Sequence, residues 1–305
     1  MINRVLIRLK VIQIVYAYYK NSGKSLKAAE DEVFFSLSKA YDLYHHMLLV
    51  MPAITHYAAD RISFLKSKMR VGGDAPDMKF VENRFVAQLA NDAQLQKFAE
   101  KSKLNWVDSS DFLRRMLDTI ETSEIYTAYM ESGESSYEED KELWRKLYKA
   151  FLFDNEELDS ILEEHSLYWN DDRPIVDTFV LKTIKRFVEE GDGANQLLPE
   201  YKDIADMDFA RKLFRNAITN AEEYRGMMAA SSKNWDMSRL AFMDVVIMQV
   251  ALAEIMTFGD IPLSVTLNEY VEIAKHYSTV KSGSFVNGLL DSITKKLRED
   301  GKIDK

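Results

Sequence analysis

Six basic side chains, Arg4, Arg8, Lys10, Lys20, Lys24 and Lys27, precede the first acidic residue, Glu30. Arg4 and Arg8 stand four residues apart, so a helix presents their guanidinium groups on one side. A guanidinium pairs with phosphate oxygens and stacks on exposed bases, which makes this segment a candidate surface for an anionic partner. The chemistry it suggests is binding. Other constellations fail on geometry. Gly23-Lys24-Ser25 matches the tail of a phosphate-binding loop, but position 18, where that loop needs glycine, is Tyr18, and no strand leads into it. The five histidines, His45, His46, His56, His165 and His276, form no HExxH pattern. His45 and His46 are adjacent, point about 100° apart on a helix and do not readily share a metal. The acidic pairs Glu163-Glu164, Glu189-Glu190 and Glu222-Glu223 are adjacent too, whereas acid–base catalysis needs converging carboxyls in unlike environments. There is no GxSxG elbow and no cysteine, which excludes thiolate metal sites, iron–sulfur clusters and cysteine nucleophiles. No catalytic residue, metal or cofactor is expected.

The elements that would position the cations are helical. Val5, Leu9, Ile12, Tyr16 and Tyr19 fall on one stripe at 100° per residue, and Ile7 and Ile14 make the opposite side apolar, so the first helix is expected to be covered on more than one side. Asn21-Ser22-Gly23 supplies its stop. A second helix is expected from about 25 to 69, interrupted at Pro52, followed by a break at Val71-Gly72-Gly73-Asp74-Ala75-Pro76. Further helices are expected near 78–101, 108–131, 138–152, 154–166 and 172–190, then near 206–230, 235–258, 264–277 and 282–298. Loops are read at 132–136 and 191–193. Ser264 or Thr266 and Ser282 are candidate N-caps, and Gly288 is expected at a close helix approach. No fixed repeat and no alternating strand pattern is present. The fold class is all-α.

Composition agrees with this and sharpens the charge. The 305 residues contain only 11 glycines and 5 prolines, too few for a turn-rich sheet protein. The net charge of −9 is unevenly spread: residues 1–70 carry +6, 71–205 carry −14 and 206–305 carry −1. The N-terminal segment lacks a small-residue cleavage site and does not read as a signal peptide. The longest apolar run, 240–258, carries Asp244, Gln249 and Glu254, so no membrane span is expected. A cytoplasmic location is expected.

The C-terminal third carries a more specific pattern. Arg239-Leu240-Ala241, Asp244, Ala251-x-x-Glu254, Pro262, Asn268-Glu269, Ala274-Lys275 and the run Phe285-Val286-Asn287-Gly288-Leu289-Leu290-Asp291 resemble the signature of the NusB family of transcription antitermination factors. Upstream, the stretch from Asp208 to Lys233 leading into Trp235 is similar to the helix that precedes this signature in the family. At the other end of the chain, Arg4, Arg8, Gln13, Val15 and Tyr16 take the places of that family's arginine-rich first helix. The resemblance covers roughly 120 residues. It implies a NusB-like helical bundle built from residues 1–30 and 206–305, with residues 31–205 as an added, acidic helical insert. The insert's helices, rich in Trp, Tyr and Phe, with Trp106, Trp144, Tyr148 and Trp169, are expected to form an added subdomain packed on the core.

The resemblance also implies a function. NusB proteins pair with NusE, a small-subunit ribosomal protein, on boxA-type RNA, chiefly of ribosomal RNA operons, and join the antitermination complex of RNA polymerase. By this likeness Arg4, Arg8, Lys10, Lys281, Ser282 and Phe285 would contact RNA, and Glu254, Asn268, Glu269 and Asn287 would contact the partner protein. The first helix intersperses Leu6, Ile7 and Leu9 among its cations, where the family has a tighter arginine cluster. Gln249 stands where the family often has arginine, and Lys281 where some relatives have an acidic residue. A scaffold that binds NusE or another partner without RNA is the alternative reading. The NusB-like domain fused to ribosomal RNA cytosine methyltransferases is excluded by the missing cysteine.

Overall fold

The computed structural model describes residues 1–21, 23–68, 76–102, 105–133, 136–189, 197–232, 240–279 and 281–304. Among these residues the chain forms fourteen α-helices and no strand; the one β-type contact is an isolated bridge between Ile2 and Tyr201. The all-α expectation holds. None of the described helices is long and apolar enough to cross a membrane. The breaker at 71–75, the loops at 134–135 and 191–193, and Trp235 and Arg239 lie outside the described residues.

The chain divides into two compact units. The first comprises Met1 and Ser38–Glu200, and the second Ile2–Leu37 and Tyr201–Lys305. Charge separates with them: the first unit holds 20 basic and 31 acidic residues, the second 20 and 18.

The second unit contains α1 (Arg4–Lys20), the start of α2 (Leu26–Lys68), α10 (Ile204–Thr219), α11 (Ala221–Ser231), α12 (Phe242–Thr257), α13 (Leu263–Tyr277) and α14 (Ser282–Glu299). Helix α12 is the centre, packed against α1, α10, α11, α13 and α14. Its residues 246–255 are all buried, as the run Val-Ile-Met-Gln-Val-Ala-Leu-Ala-Glu-Ile requires of a helix apolar on every side. Residues 6–12 of α1 are likewise buried without a break. Val5 departs from the expected stripe and is exposed, while Leu6 and Ile7 take the interior. Gly23, at φ +101°, turns the chain out of α1 in the left-handed region that favours glycine.

Three local expectations are corrected here. Helix α13 starts at Leu263 behind Pro262 without a side-chain cap, and the Thr266 hydroxyl turns inward to Glu254. Ser282 is likewise not a cap: its hydroxyl donates to Asp244 Oδ2 at 2.9 Å. A Cβ at Gly288 would meet nothing within 4 Å, whereas one at Gly283 would lie 2.6 Å from Lys275 Cγ, so the close approach is at Gly283.

In the first unit, α2 runs through Pro52 unbroken, held by Leu48, Val50, Met51 and Ile54 in the interior around the missing N–H. The expected helix at 78–101 resolves into α3 (Arg84–Ala90) and α4 (Ala93–Lys101), because the Asp92 carboxylate caps a new start by accepting from Gln94 and Leu95 N–H. The one at 108–131 resolves into α5 (Ser110–Glu121) and α6 (Glu124–Glu131), with Ser123 as the new cap. Then follow α7 (Tyr137–Leu147), a π turn at Tyr148–Leu152, α8 (Glu156–His165) and α9 (Arg173–Arg186). Trp106, Trp144, Tyr148 and Trp169 are all buried. His46 stacks on Trp106 at 4.3 Å, and burial pulls His46 and His45 down to about 3 and about 4, so both are neutral packing residues.

Candidate binding site at the N-terminal helix

The sequence places one arginine in the middle of α1 and one glutamate in the middle of α12, each among apolar neighbours. Folding brings them together. Arg8 Nε donates to Glu254 Oε2 at 2.7 Å and Arg8 Nη2 to Glu254 Oε1 at 2.8 Å, a two-pronged pair with 3% and 0% of the side chains exposed. Two further donors complete the carboxylate: Thr266 Oγ1 to Oε1 and the Tyr270 hydroxyl to Oε2, each at 2.9 Å. Glu269 stands 3.7 Å from the Arg8 Nη1. Desolvation opposes the Arg8 charge, but the Glu254 hydrogen bonds and charge, with Tyr270 and Glu269, outweigh it and leave its pKa raised. Desolvation likewise pushes the Tyr270 phenol well above its ordinary range, as does the charge of Glu254. Every polar atom here faces a partner, which is what a buried ion pair needs to be tolerated. The site joins α1, α12 and α13 as a structural clamp.

This corrects two expected contacts. Arg8 does not reach phosphate, because its guanidinium is spent on Glu254 inside the unit. Glu254 does not reach a partner protein, because it is enclosed by Arg8, Thr266 and Tyr270. Lys10, only 1% exposed, is also interior and corrected as a surface cation. Ser282 is buried between Asp244 and Thr279, so it too is withdrawn from RNA contact.

Other expected positions lie outward. Arg4 is 40% exposed, with its guanidinium 5.0 Å from the centre of the Phe209 ring and Nε 3.8 Å from Asp206. Lys281, Asn268 and Asn287 are exposed, and Phe285 and Glu269 are half-buried. The Phe209 ring also lies 5.6 Å from the Arg8 guanidinium carbon and so separates an inner arginine from an outer one.

A second buried polar centre was not anticipated. Gln249, in α12, donates through Nε2 to the Tyr19 hydroxyl at 2.9 Å and to the Ala217 carbonyl at 2.6 Å, and accepts from Arg225 Nε at 3.1 Å. Arg225 lies 4.5 Å over the Tyr19 ring. This one amide ties α1, α10, α11 and α12. The signal available for both centres was the same: a lone polar residue inside a run apolar on all sides has to find a buried partner.

Among the described residues no group of three or more His, Asp or Glu side chains could hold a metal ion.

Residues 176–295 match the NusB family. The chain is 34% identical over 132 residues to the transcription antitermination protein NusB of Salinibacter ruber, a match covering 41% of this chain and 82% of that protein. It is 37% identical over 114 residues to the transcription antitermination protein NusB of Chloroherpeton thalassium, and 41% identical over 91 residues to that of Syntrophotalea carbinolica. These two matches cover 37% and 30% of this chain and span just over half of each relative, 54% and 58%. A solved structure of T. maritima NusB aligns at 29% identity with a TM-score of 0.30, covering 45% of this chain and 84% of that one.

Proposed function

The chain belongs to the NusB family, and from that premise we propose that it is an RNA-binding transcription antitermination factor. It would pair with NusE on boxA-type RNA, chiefly of ribosomal RNA operons, and act within the antitermination complex of RNA polymerase. The carrying observation is the 34% identity to a transcription antitermination protein NusB along 82% of that protein. The function is binding, with no catalytic step, and its place is the cytoplasm. In this reading residues 1–30 and 206–305 form the family bundle, and 31–205 are an acidic insert that repels stray nucleic acid from its own surface.

Arg4 is the phosphate contact from α1. Lys281 and Phe285 add a second cation and a ring for a base, and Asn268, Glu269 and Asn287 face the partner protein. The test is titration of boxA RNA by fluorescence anisotropy, with and without NusE, across a salt series. Binding that weakens with salt, and weakens further in Arg4→Ala, supports the reading. No binding at low salt, with or without NusE, refutes it.

The inward turn of Arg8 and Lys10 favours one second reading, a scaffold that captures NusE without RNA. Capture of NusE that boxA RNA never strengthens would select it.

A further inference from the structure

With Arg8 and Lys10 in the interior, the cations available to an RNA backbone have to be sought elsewhere in the second unit. They gather where the start of α2 meets α10. Glu30 is buried, and its carboxylate is approached by three basic side chains. Arg215 Nε and Nη2 both donate to it, the latter at 3.2 Å, Arg211 Nε lies at 3.6 Å and Lys27 Nζ at 3.8 Å. Arg215 first of all, by hydrogen bond, holds the Glu30 carboxyl below its usual range.

The remaining neighbours are balanced. Lys27 also reaches Asp31 at 2.6 Å, and Lys212 pairs with Asp208 at 2.7 Å. What is left over is two arginines on one buried carboxylate, a local positive excess in a chain of net charge −9. The arginines stay outward, 43% and 53% exposed, although their inner nitrogens are anchored. The Arg211 guanidinium carbon also lies over the Phe34 ring, 5.1 Å from its centre. They sit one turn apart on α10, so both guanidinium edges present together. The amino end of α2 lies beside them and adds the positive end of a long helix dipole.

We propose that Arg211 and Arg215 form a preorganised contact for the phosphates of single-stranded RNA. Glu30 is the buried anchor that orients both guanidinium groups, and Phe34 is the backing for Arg211. On the α10 wheel Arg211 and Arg215 point away from Phe209 and Asp206, the residues beside Arg4. The contact is therefore separate from that of Arg4, and the strand is held at two places. Anchored guanidinium groups lose less rotamer freedom on binding than free lysines do, which is why this patch outweighs the paired lysines around it. The inference rests on the RNA-binding reading above.

The experiment uses the full chain and a labelled boxA RNA, titrated by anisotropy between about 50 and 200 mM salt. Removing both arginines alone would strand Glu30, so the comparison is E30Q against E30Q/R211Q/R215Q, with folding checked by circular dichroism and melting. E30Q keeps both guanidinium charges but loosens their anchor, so it should weaken RNA binding while keeping the salt slope. The triple variant should lose affinity and shallow the slope of log K against log salt by about 1.4, two phosphates at about 0.7 each for a single strand. A folded triple variant with the affinity and slope of E30Q overturns this contact while leaving RNA binding itself intact. Absence of RNA binding by the unaltered chain overturns both. If the triple variant retains RNA binding unchanged but loses NusE capture, the patch is a protein surface and the phosphate assignment is wrong.

Discussion

Arg8→Ala separates a structural arginine from an RNA-binding one. In the folded chain Arg8 and Glu254 share two hydrogen bonds of 2.7 and 2.8 Å with almost no exposure. Deleting Arg8 leaves a carboxylate with only the Thr266 and Tyr270 donors and no countercharge. Breaking one side of a buried pair costs about 3–5 kcal/mol, because the remaining charge stays desolvated. At about 3 °C per kcal/mol for a domain of this size, the melting temperature should fall by about 10 °C. Glu254→Gln strands the opposite charge and should fall by a similar amount. The double variant R8M/E254Q buries no charge and should recover most of the loss. Differential scanning calorimetry and urea denaturation of the four proteins give these numbers, and RNA titration at a temperature where all are folded gives the second readout. Under the clamp account, folded R8M/E254Q binds RNA like the unaltered chain. A melting point of Arg8→Ala within about 2 °C of the unaltered chain, together with lost RNA affinity, would refute the reasoning, since it would put Arg8 on the surface.

Stability should fall on mild acidification, because an unfolded chain protonates His45 and His46 near pH 6.5 while the fold keeps them neutral down to about 4 and about 3. At pH 5 each histidine then costs about 2 kcal/mol. Asp177, pushed up to about 6 by desolvation, works the other way, since the fold retains a proton that the unfolded chain has released. It returns about 1.4 kcal/mol, for a net loss of about 2.5 kcal/mol between pH 7.5 and 5. Urea midpoints that stay level or rise over that range would contradict the assignment. Gly288→Ala should stabilise α14 by about 0.4–1 kcal/mol, as the site is open helix surface. Gly283→Ala should destabilise by about 1–3 kcal/mol, because the new methyl presses on Lys275 Cγ. Thermal melts of the two variants should therefore shift in opposite directions.

Much of the architecture was legible in one dimension. Helix propensity and apolar period are local properties, so the start and stop of α1 and the all-round burial of α12 could be read from residue types and spacing. The charge division was legible too, and it follows the two units: the acidity lies in the first. Helix interruptions were less legible. Pro52 breaks nothing because its flanks are buried, while Asp92 and Ser123 divide helices through side-chain caps that the apolar period does not display.

What each polar side chain does was decided by the tertiary structure. Arg4 and Arg8 have the same chemistry and lie one turn apart, yet one lies at the surface and the other is enclosed by three helices. The amino-acid sequence by itself determined that a cation and a carboxylate stand in two helices apolar on all sides, and therefore that each needs a buried partner. Only packing made them partners, since residues 246 positions apart meet through helix crossings that no local pattern encodes. For the same reason the two arginines anchored on Glu30 are invisible as a pair with α2 until α10 lies against it.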